Sequence, residues 1–275
     1  MNGPLRFRVV SSGSGGNATL VEAAGTRLLI DAGLGPRELA ERLQAIGVDP
    51  TSLAAVVLSH EHGDHARGAA SFARRWGMPL AGTRGTYAAA GLGAVEIPRY
   101  DVLAANACLR IGAIELRPVA IPHDAAEPVA FVIAAGGVSL GHATDLGHVS
   151  RGVVEAFRDC DALLIESNYD PAMLRDGPYP WSLKERILSP RGHLANGDVA
   201  RFLGDGLGAA CGQLVLAHLS QKNNHPELAR MSAEAALRRR GRTEVTVEIT
   251  GPEGTGWTAL GPDLPAAGPR QLALF

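Results

Sequence analysis

One short segment limits what this chain can be more than any other, because it concentrates metal-ligating side chains in a single loop. It spans residues 58–65, reads Leu-Ser-His-Glu-His-Gly-Asp-His and follows an apolar run that is typical of a buried strand. His60 and His62 alternate along the chain and can face one ion, whereas Asp64 and His65 follow a flexible glycine and can face a second ion. Imidazole and carboxylate groups suit Zn²⁺, with Mn²⁺ or Fe²⁺ as alternatives. A polar surface loop seldom combines three histidines and an aspartate behind a strand, so the segment predicts a metal site.

Size and charge restrict the class of protein further. The chain has 275 residues and a mass of 28.6 kDa, enough to bury a large core in one domain or two small ones. Its formal net charge is −2, so the strongly basic field of many nucleic-acid-binding proteins is absent. Binding of a polyanion would therefore need a local basic patch or bound metal ions.

Cysteine usage and hydropathy indicate the compartment. The three cysteines, Cys108, Cys160 and Cys211, are isolated and lack the C-x-x-C spacing of a redox or zinc motif. They are typical of buried small side chains in a reducing environment. The N-terminal residues lack the apolar region of a signal peptide, and no apolar run approaches the length of a membrane span. We therefore expect a soluble, cytoplasmic protein.

The hydrophobic pattern predicts an α/β fold in which two mixed sheets are covered by helices. Short apolar segments between glycine-rich turns predict an opening antiparallel meander, and later strands alternate with helices. The predicted strands are 5–10, 18–22, 27–30, 53–58, 79–81, 94–97, 109–111, 114–121, 129–134, 138–142, 162–165, 213–217 and 244–249. The predicted helices are 36–46, 68–76, 150–158, a segment ending near 203, and 226–240. A proline-rich loop is predicted after residue 170.

Further ligand-type side chains follow other predicted strands. His123, Asp145 and His218 stand at or just after strand ends, and Glu166 lies near another. Because one edge of a two-sheet sandwich can gather such ends, we assign two ions to this edge, with Asp145 as the bridging ligand. The remaining assignment is His60, His62 and His123 for one ion, and Asp64, His65 and His218 for the other. Each ion keeps a position for water or substrate, and such a pair suits phosphodiester hydrolysis, although lactones and thioesters are alternatives.

Several other polar residues have two interpretations each. Asp31, at a strand end, either fixes the metal loop by a hydrogen bond or caps the next helix. His193 is either a proton donor or phosphate contact, or a polar residue at a helix start. His142, His148 and His225 are expected to be structural or surface residues.

The serine- and glycine-rich segment 11–17 lies between the first two predicted strands. Backbone N–H groups of such a loop can cradle a phosphate. A plain flexible hairpin loop is the commoner explanation of the same composition.

The ligand pattern resembles that of the metallo-β-lactamase superfamily. The motif is His60-x-His62-x-Asp64-His65, followed by His123, Asp145 and His218. The resemblance covers the chain to about residue 262 and implies the αββα sandwich of that superfamily. It also implies that Asp31 corresponds to the aspartate of the first superfamily motif. An aspartate at position 145 and the Asp64-His65 pair are similar to the dinuclear hydrolases, not to the branch with a cysteine ligand.

Two branches of the superfamily share further motifs with this chain. Three segments resemble the ribonuclease Z type, in which the equivalent of His193 assists phosphodiester cleavage: residues 166–169 (Glu-Ser-Asn-Tyr), 193–196 (His-Leu-Ala-Asn) and 216–220 (Leu-Ala-His-Leu-Ser). The segments 12–17, 123–128, 143–147 and 218–224 are similar to the compact YycJ/WalJ-type branch. That resemblance implies a metal-dependent 5′-to-3′ exonuclease acting on DNA. We expect the ligand set to hold two Zn or Mn ions, and Asp64 and His193 to be the catalytic residues.

The C-terminal residues differ in composition from the rest of the chain. We divide the chain into a hydrolase domain, residues 1–261, and a Pro/Gly/Ala-rich linker with a terminal peptide, residues 262–275. The peptide resembles the sliding-clamp-binding motif of bacterial replication and repair proteins, with Gln271, Leu272, Leu274 and Phe275 as the contacting residues. An apolar terminus that packs back on the domain is the alternative, although the linker favours exposure.

Three functional hypotheses follow. The leading one is a dinuclear DNA exonuclease of replication or repair that is tethered to the sliding clamp. The second is a small-molecule hydrolase of a cyclic phosphodiester or lactone, which would ignore DNA. The third is a clamp-associated adaptor without enzymatic activity, in which the metals are structural.

Overall fold

The computed structural model describes residues 4–104 and 107–261, and its main feature is a pair of seven-stranded sheets packed face to face. The strands of the first sheet are β1 (Leu5–Ser11), β2 (Ala18–Ala23), β3 (Thr26–Ile30), β4 (Ala55–Val57), β5 (Leu80–Thr83), β6 (Tyr100–Leu103) and β14 (Thr258–Leu260). They lie in the order β14-β1-β2-β3-β4-β5-β6. The pairings among β14, β1, β2 and β3 are antiparallel, and those from β3 to β6 are parallel.

The second sheet repeats this mixed arrangement. Its strands are β7 (Leu109–Ile111), β8 (Ile114–Ala120), β9 (Val129–Ala135), β10 (Val138–Ala143), β11 (Ala162–Glu166), β12 (Gln213–Ala217) and β13 (Thr246–Ile249). Their order is β13-β12-β11-β10-β9-β8-β7, antiparallel from β7 to β10 and parallel from β10 to β13. The predicted α/β fold with two mixed sheets is confirmed.

Helices cover the outer faces of both sheets. They are α1 (Pro36–Ala45), α2 (Gly63–Ala66), α3 (Ala69–Trp76), α4 (Arg84–Ala89), α5 (Arg151–Phe157), α6 (Pro171–Asp176), α7 (Trp181–Leu188), α8 (Asn196–Asp205) and α9 (Pro226–Arg239), with short 3₁₀ turns at Pro50–Ser52 and Leu92–Ala94. Among the described residues, no helix has both the length and the apolar character needed to cross a membrane.

Three apolar layers hold the sandwich together. Between the sheets, side chains such as Phe7 and Phe131 are fully buried because both inner faces are apolar. Phe72 of α3 packs on the outer face of the first sheet, and Phe157 of α5 packs on the outer face of the second. Burying each large side chain contributes roughly 1.5–3 kcal/mol, so the core supplies a rigid base for the loops at the sheet edges.

Parallel pairing brings the functional loops to one edge of the sandwich. Ile30 on β3 lies opposite Val57 on β4, so Asp31 and the histidine-rich loop leave the first sheet side by side. In the second sheet, Glu166 on β11 lies opposite Ala217 on β12, which directly precedes His218. Since ligands bind outside the carboxyl ends of parallel strands, this edge is where a site is expected.

Two predictions about local structure are wrong. Residues 94–97 do not form a strand, because Pro98 cannot donate to a sheet ladder, and the strand that pairs with β5 is Tyr100–Leu103. The segment after residue 170 is not a loop throughout, because it contains α6 and α7. Pro171 occupies the first turn of α6 behind the capping side chain of Asp170, which accepts hydrogen bonds from two backbone N–H groups.

Candidate metal centre

Asp31 organises the histidine-rich loop from beneath. Its carboxylate is buried, and Oδ1 accepts a hydrogen bond from the backbone N–H of Ser59 at 2.8 Å. The Oδ2 atom accepts from the Ser59 hydroxyl at 2.9 Å and pairs with His65 Nδ1 at 2.8 Å. Of the two interpretations of Asp31, the geometry supports the one in which this residue positions the loop, since no side-chain hydrogen bond caps α1. A proton on His65 Nδ1 leaves the lone pair on Nε2, which lies 2.6 Å from Asp145 Oδ2 and 3.0 Å from Asn17 Nδ2.

A first group of three histidines meets at this edge. The ligand atoms of His60, His62 and His123 all lie within 4.8 Å of one another. His62 Nδ1 is 3.2 Å from His123 Nε2. The rings of His60 and His123 are buried, whereas the ring of His62 is partly exposed. The structure therefore places together the three residues that were predicted to hold one ion.

The second predicted set also converges. Ligand atoms of Asp64, His65 and His218 lie within 4.8 Å of one another, with His218 Nε2 3.4 Å from Asp64 Oδ2. Asp145 lies between the two sets, because its Oδ2 is 2.6 Å from His65 Nε2 and its Oδ1 is 3.9 Å from His123 Nε2. All seven predicted ligands therefore lie in one cluster, and Asp145 has the central position that a bridging ligand requires.

Three buried atoms of the cluster test whether metal ions fit there. His60 Nε2, Asp145 Oδ2 and His218 Nε2 are buried and take part in no hydrogen bond. Buried polar atoms nearly always have a hydrogen-bond partner, so unpaired lone pairs directed at a common space indicate cations. Imidazole and carboxylate groups are also the donors that divalent transition-metal ions bind. The residues fit divalent metal ions.

The charged groups of the cluster strongly affect each other. Burial disfavours the charged form of the His65 ring, but Asp145 and Asp31 outweigh burial and raise its pKa to about 10. Burial likewise acts against ionised Asp145, yet His218 and His65 hold the pKa of that carboxyl well below its usual range. Without a metal, protons on the histidines balance the buried carboxylates, so metal binding must displace protons.

Backbone strain is concentrated at the same place. Among the described residues, the non-glycine residues with positive φ are Ala24, Asp31, Asp145 and His218. The last three, at 62°, 55° and 54°, carry side chains of the cluster. Left-handed backbone at such residues costs on the order of 1–3 kcal/mol and persists only where the surroundings enforce it. The strands and loops are thus held in a strained arrangement that directs these side chains into the site.

The serine- and glycine-rich loop supports the cluster from the side of the first sheet. The backbone N–H of Asn17 donates to Asp64 O at 2.7 Å, and Asn17 Oδ1 accepts from Gly13 N at 2.9 Å. The hydroxyl of Ser12 accepts from His218 N at 2.8 Å. These contacts favour neither a phosphate cradle nor a flexible loop, because the Asn17 backbone and the Ser12 side chain bond the loop to Asp64 and His218.

Gly33 permits the close approach of the two loops, and its replacement by alanine should disrupt the site. An added Cβ at Gly33 would lie 1.7 Å from Asp64 O, a contact that only backbone movement can relieve. We expect Gly33→Ala to cost about 1–3 kcal/mol in the free energy of unfolding and to lower metal content. The matched variant Gly35→Ala, where no atom lies within 4 Å of the added Cβ, should retain its metal. Thermal unfolding and elemental analysis measure both effects, and equal metal content in the two variants would contradict this account.

Glu166 is a member of the site that sequence reasoning did not assign. It is fully buried, and its Oε1 pairs with His193 Nδ1 at 2.7 Å and His218 Nδ1 at 2.9 Å. Its Oε2 accepts from the backbone N–H groups of Leu146 and Leu194. The available signal was its position at the end of β11, between the strands that lead to Asp145 and His218.

Glu166 stabilises the protonated form of the His193 ring. Burial acts against a charged His193 ring, but Glu166 and Asp145 outweigh burial and raise its pKa. Because Nδ1 pairs with Glu166, Nε2 is the atom left to carry a proton toward the site. The side chain remains 20% exposed, so this atom can meet a substrate.

The remaining histidines lie outside the cluster. His142 is buried in β10 and contacts the Thr19 hydroxyl, and burial lowers its pKa to about 4. His148 Nδ1 contacts Pro190 O on the surface. His225 caps α9 by accepting from Glu227 N. All three are structural or surface residues, as predicted.

Two mixed sheets between helices, with a His/Asp cluster at the carboxyl ends of their strands, define a class of αββα metallohydrolases. Residues 26–219 match the family model described as the beta-lactamase superfamily domain, and the chain belongs to that family. The predicted membership of the metallo-β-lactamase superfamily is confirmed.

Relatives within the family are similar over most of their length. The chain is 34% identical to exodeoxyribonuclease YycJ of Bacillus anthracis, over 86% of this chain and 90% of that protein. It is 35% identical to exodeoxyribonuclease WalJ of Streptococcus pneumoniae, over 83% of this chain and 86% of that protein. The predicted resemblance to the YycJ/WalJ branch is confirmed.

Solved structures show the same fold at lower identity. The metallo-β-lactamase fold protein YhfI from Bacillus subtilis superposes with a TM-score of 0.73 at 17% identity, covering 94% of this chain and 99% of that chain. Zn²⁺-bound PqqB from Methylobacterium extorquens gives a TM-score of 0.67 at 17% identity, covering 93% and 100%. At this identity the similarity concerns the fold alone.

Proposed function

We propose that this protein is a dinuclear metal-dependent phosphodiesterase that degrades DNA from the 5′ end in replication or repair. The observation that carries the proposal is the 34–35% identity to two exodeoxyribonucleases over more than four-fifths of the chain. The cluster supports it, because seven ligand-type side chains converge with a protonatable histidine beside them.

The proposed centre holds two divalent ions, Zn²⁺ or Mn²⁺. The ligand sets are His60, His62 and His123 for one ion and Asp64, His65 and His218 for the other, with Asp145 shared. When bound, the ions would stabilise charge on the phosphoryl oxygens and lower the pKa of the attacking water.

Four residues of the site have a further proposed role. Asp64 is 23% exposed and is more accessible than Asp145 and Glu166, so it can orient the incoming water. His193 Nε2 donates its proton to the leaving oxygen, and Glu166 stabilises the protonated ring in the required orientation. Asp31 holds the His65 ring so that its Nε2 faces the site.

The proposed polarity has a direct test. The label on 5′-end-labelled DNA should appear at once in the shortest products, whereas 3′-end-labelled DNA should give a ladder that shortens progressively. Purified protein with Zn²⁺ or Mn²⁺ supplied in turn is the assay, and Asp64→Ala is the control for contaminating nuclease. Early release of a 3′ label would contradict the polarity, and turnover of cyclic phosphodiesters or lactones with intact DNA would favour the small-molecule hydrolase.

We further propose that residues 262–275 form a linker and a clamp-binding peptide behind the hydrolase domain. These residues lie outside the described part of the chain, so the support comes from sequence alone. Leu272, Leu274 and Phe275 would fill apolar pockets of the clamp, and Gln271 would hydrogen-bond the pocket rim.

Deletion of residues 271–275 should abolish binding to the bacterial sliding clamp while leaving digestion of free linear DNA unchanged. The expected change is a loss of more than about tenfold in affinity, since the apolar anchors of short peptides supply most of their binding energy. Fluorescence anisotropy with the labelled clamp measures the affinity, and a tail of scrambled order serves as the control. Equal affinity of the wild-type and truncated proteins would exclude the peptide as the tether.

A cytoplasmic location is also proposed. Cys108, Cys160 and Cys211 are free thiols, as expected for cysteines in a reducing compartment. Cys160 and Cys211 are buried as predicted, whereas Cys108 is exposed, so the prediction is wrong for Cys108.

A further inference from the structure

The loop that joins α7 to α8 carries an arginine whose charge the assignment above does not use. Arg191 is exposed, and its Nε donates a hydrogen bond to His123 O at 3.1 Å. Many other surface arginines pair with a carboxylate, as Arg37 does with Glu41. Within the described part of the chain, Arg191 has no carboxylate partner, and its other guanidinium N–H groups have no acceptor. A cation with free donors therefore lies beside a residue of the cluster.

The backbone around Arg191 is packed on two sides. On one side, an added Cβ at Gly192 would lie 2.2 Å from Ile187 O, at the end of α7. On the other side, an added Cβ at Gly147, two residues after Asp145, would lie 2.6 Å from Arg191 Cα. The loop is thus held against the segment that carries the central carboxylate of the cluster. Because this backbone and the Nε atom are already fixed, less conformational entropy is lost when the guanidinium binds a ligand.

A second arginine is held by the same segment, residues 123–124. Arg186 Nε donates to Asp124 Oδ2 at 2.5 Å, and the Arg186 side chain remains 55% exposed. Asp124 raises the pKa of Arg186, and the cluster carboxylates Asp64 and Asp145 add to this effect, so the guanidinium lies within the field of the cluster. Both arginines therefore bind this segment through Nε, and their terminal nitrogens are the atoms left to bind a ligand.

We propose that Arg191 and Arg186 form a basic rim that binds backbone phosphates of the DNA strand entering the metal site. The inference rests on the proposed nuclease function, because it takes DNA as the ligand. Guanidinium groups bind phosphate oxygens through pairs of N–H groups, which suits the free terminal nitrogens. The chain as a whole has a net charge of −2, so a polyanion needs a local group of cations such as this rim.

The alternative is that Arg191 only supports the metal site. Its bond to His123 O would then fix a metal ligand, and its replacement would lower the metal content without changing the salt dependence of DNA binding. Under the proposal, the replacement weakens salt-dependent DNA binding and leaves the metal content unchanged. The His123 ring keeps its own support in either case, because its Nδ1 donates to Gly192 O at 3.0 Å.

The test is fluorescence anisotropy of a short, labelled single-stranded oligonucleotide with the full-length protein, in a chelator that prevents digestion. Affinity is measured between about 50 and 200 mM salt. Arg191→Ala should lower the affinity about tenfold, as expected for the loss of a hydrogen-bonded charge. It should also lower the slope of log affinity against log salt by about 0.7, the contribution of one phosphate contact on a single strand. Adding Arg186→Ala should roughly double this change in slope.

Two variants control for charge and for folding. Arg74→Ala removes an exposed arginine in the last turn of α3, which precedes the amino end of β5, and should bind the oligonucleotide like wild type. Arg191→Lys keeps the charge and should keep the salt slope, but should lose part of the affinity because an ammonium group lacks the planar fork. It also serves if the alanine variant does not fold. Elemental analysis of the metal-loaded proteins should find the wild-type metal content in every variant.

The possible outcomes separate this inference from the nuclease proposal. An unchanged salt slope in Arg191→Ala, with or without loss of metal, would overturn the inference, as would wild-type protein that does not bind the oligonucleotide. Wild-type protein that shows the predicted dependence on Arg191 but leaves DNA intact when loaded with metal would overturn the nuclease proposal and leave the inference standing.

Discussion

Replacement of Asp145 with alanine is expected to abolish hydrolysis and to remove metal from both sites. Its carboxylate is 2% exposed and lies within 4 Å of His65, His123 and His218. Without it, the two sets of ligands have no carboxylate in common, and two neighbouring divalent cations lose the charge that lowers their repulsion. We expect a loss of more than about 10³-fold in kcat, in line with removing a group on which the whole catalytic unit depends. Elemental analysis should find less than one ion per chain.

The Asp145 prediction has two matched variants. Asp145→Asn keeps the volume and removes the charge, so it should resemble the alanine variant if the carboxylate binds metal. Asp159→Ala, at an exposed position after α5, should behave as wild type. A full complement of two ions in Asp145→Asn would contradict the bridging assignment.

Replacement of His193 with alanine should lower kcat while the metal content stays at two ions per chain. Loss of a positioned proton donor costs about 10²–10⁴-fold. His193 also lies within ligand distance of Asp145, Glu166 and His218, so metal content is the measurement that separates a proton donor from a ligand. Loss of one ion in His193→Ala would show that this residue binds metal.

The pH dependence of kcat is a second test of the role of His193 as a proton donor. Glu166 and Asp145 raise the pKa of His193 above its ordinary value, so the ring keeps its proton to a higher pH than a free imidazole does. A reaction that needs this proton slows as the pH rises through the raised pKa, so wild-type kcat should fall on the alkaline side. The His193→Ala variant should lack that fall. An identical alkaline limb in both proteins would assign it to another group.

The sequence was informative wherever ligands were close together in the chain or at strand ends. Segment 58–65 was predicted to bind metal because its four ligand side chains lie close together in the sequence. His123, Asp145 and His218 were predicted as ligands because parallel strands bring their ends to one edge. The strands of both sheets were predicted from short apolar runs, because the spacing of apolar residues can be seen within each segment of the sequence.

Other features depend on contacts between distant parts of the chain. Glu166 bonds to residues 20 to 52 positions away, and the residues next to it in the sequence do not indicate those partners. Asp31 had two interpretations until its contacts with Ser59 and His65 were visible. Helix α7, which brings Arg186 to Asp124, was not predicted, because its proline-rich segment is also typical of a loop.

The most direct test of the whole account combines metal content and DNA digestion on one sample of purified protein. The protein is stripped with a chelator, reloaded with Zn²⁺ or Mn²⁺, and assayed on end-labelled linear DNA beside Asp64→Ala treated in the same way. We predict no digestion after stripping, recovery on binding two ions per chain, and release of nucleotides from the 5′ end in wild type alone. Intact DNA in the presence of fully loaded protein, or digestion that persists in Asp64→Ala, would contradict the assignment of this site to DNA hydrolysis.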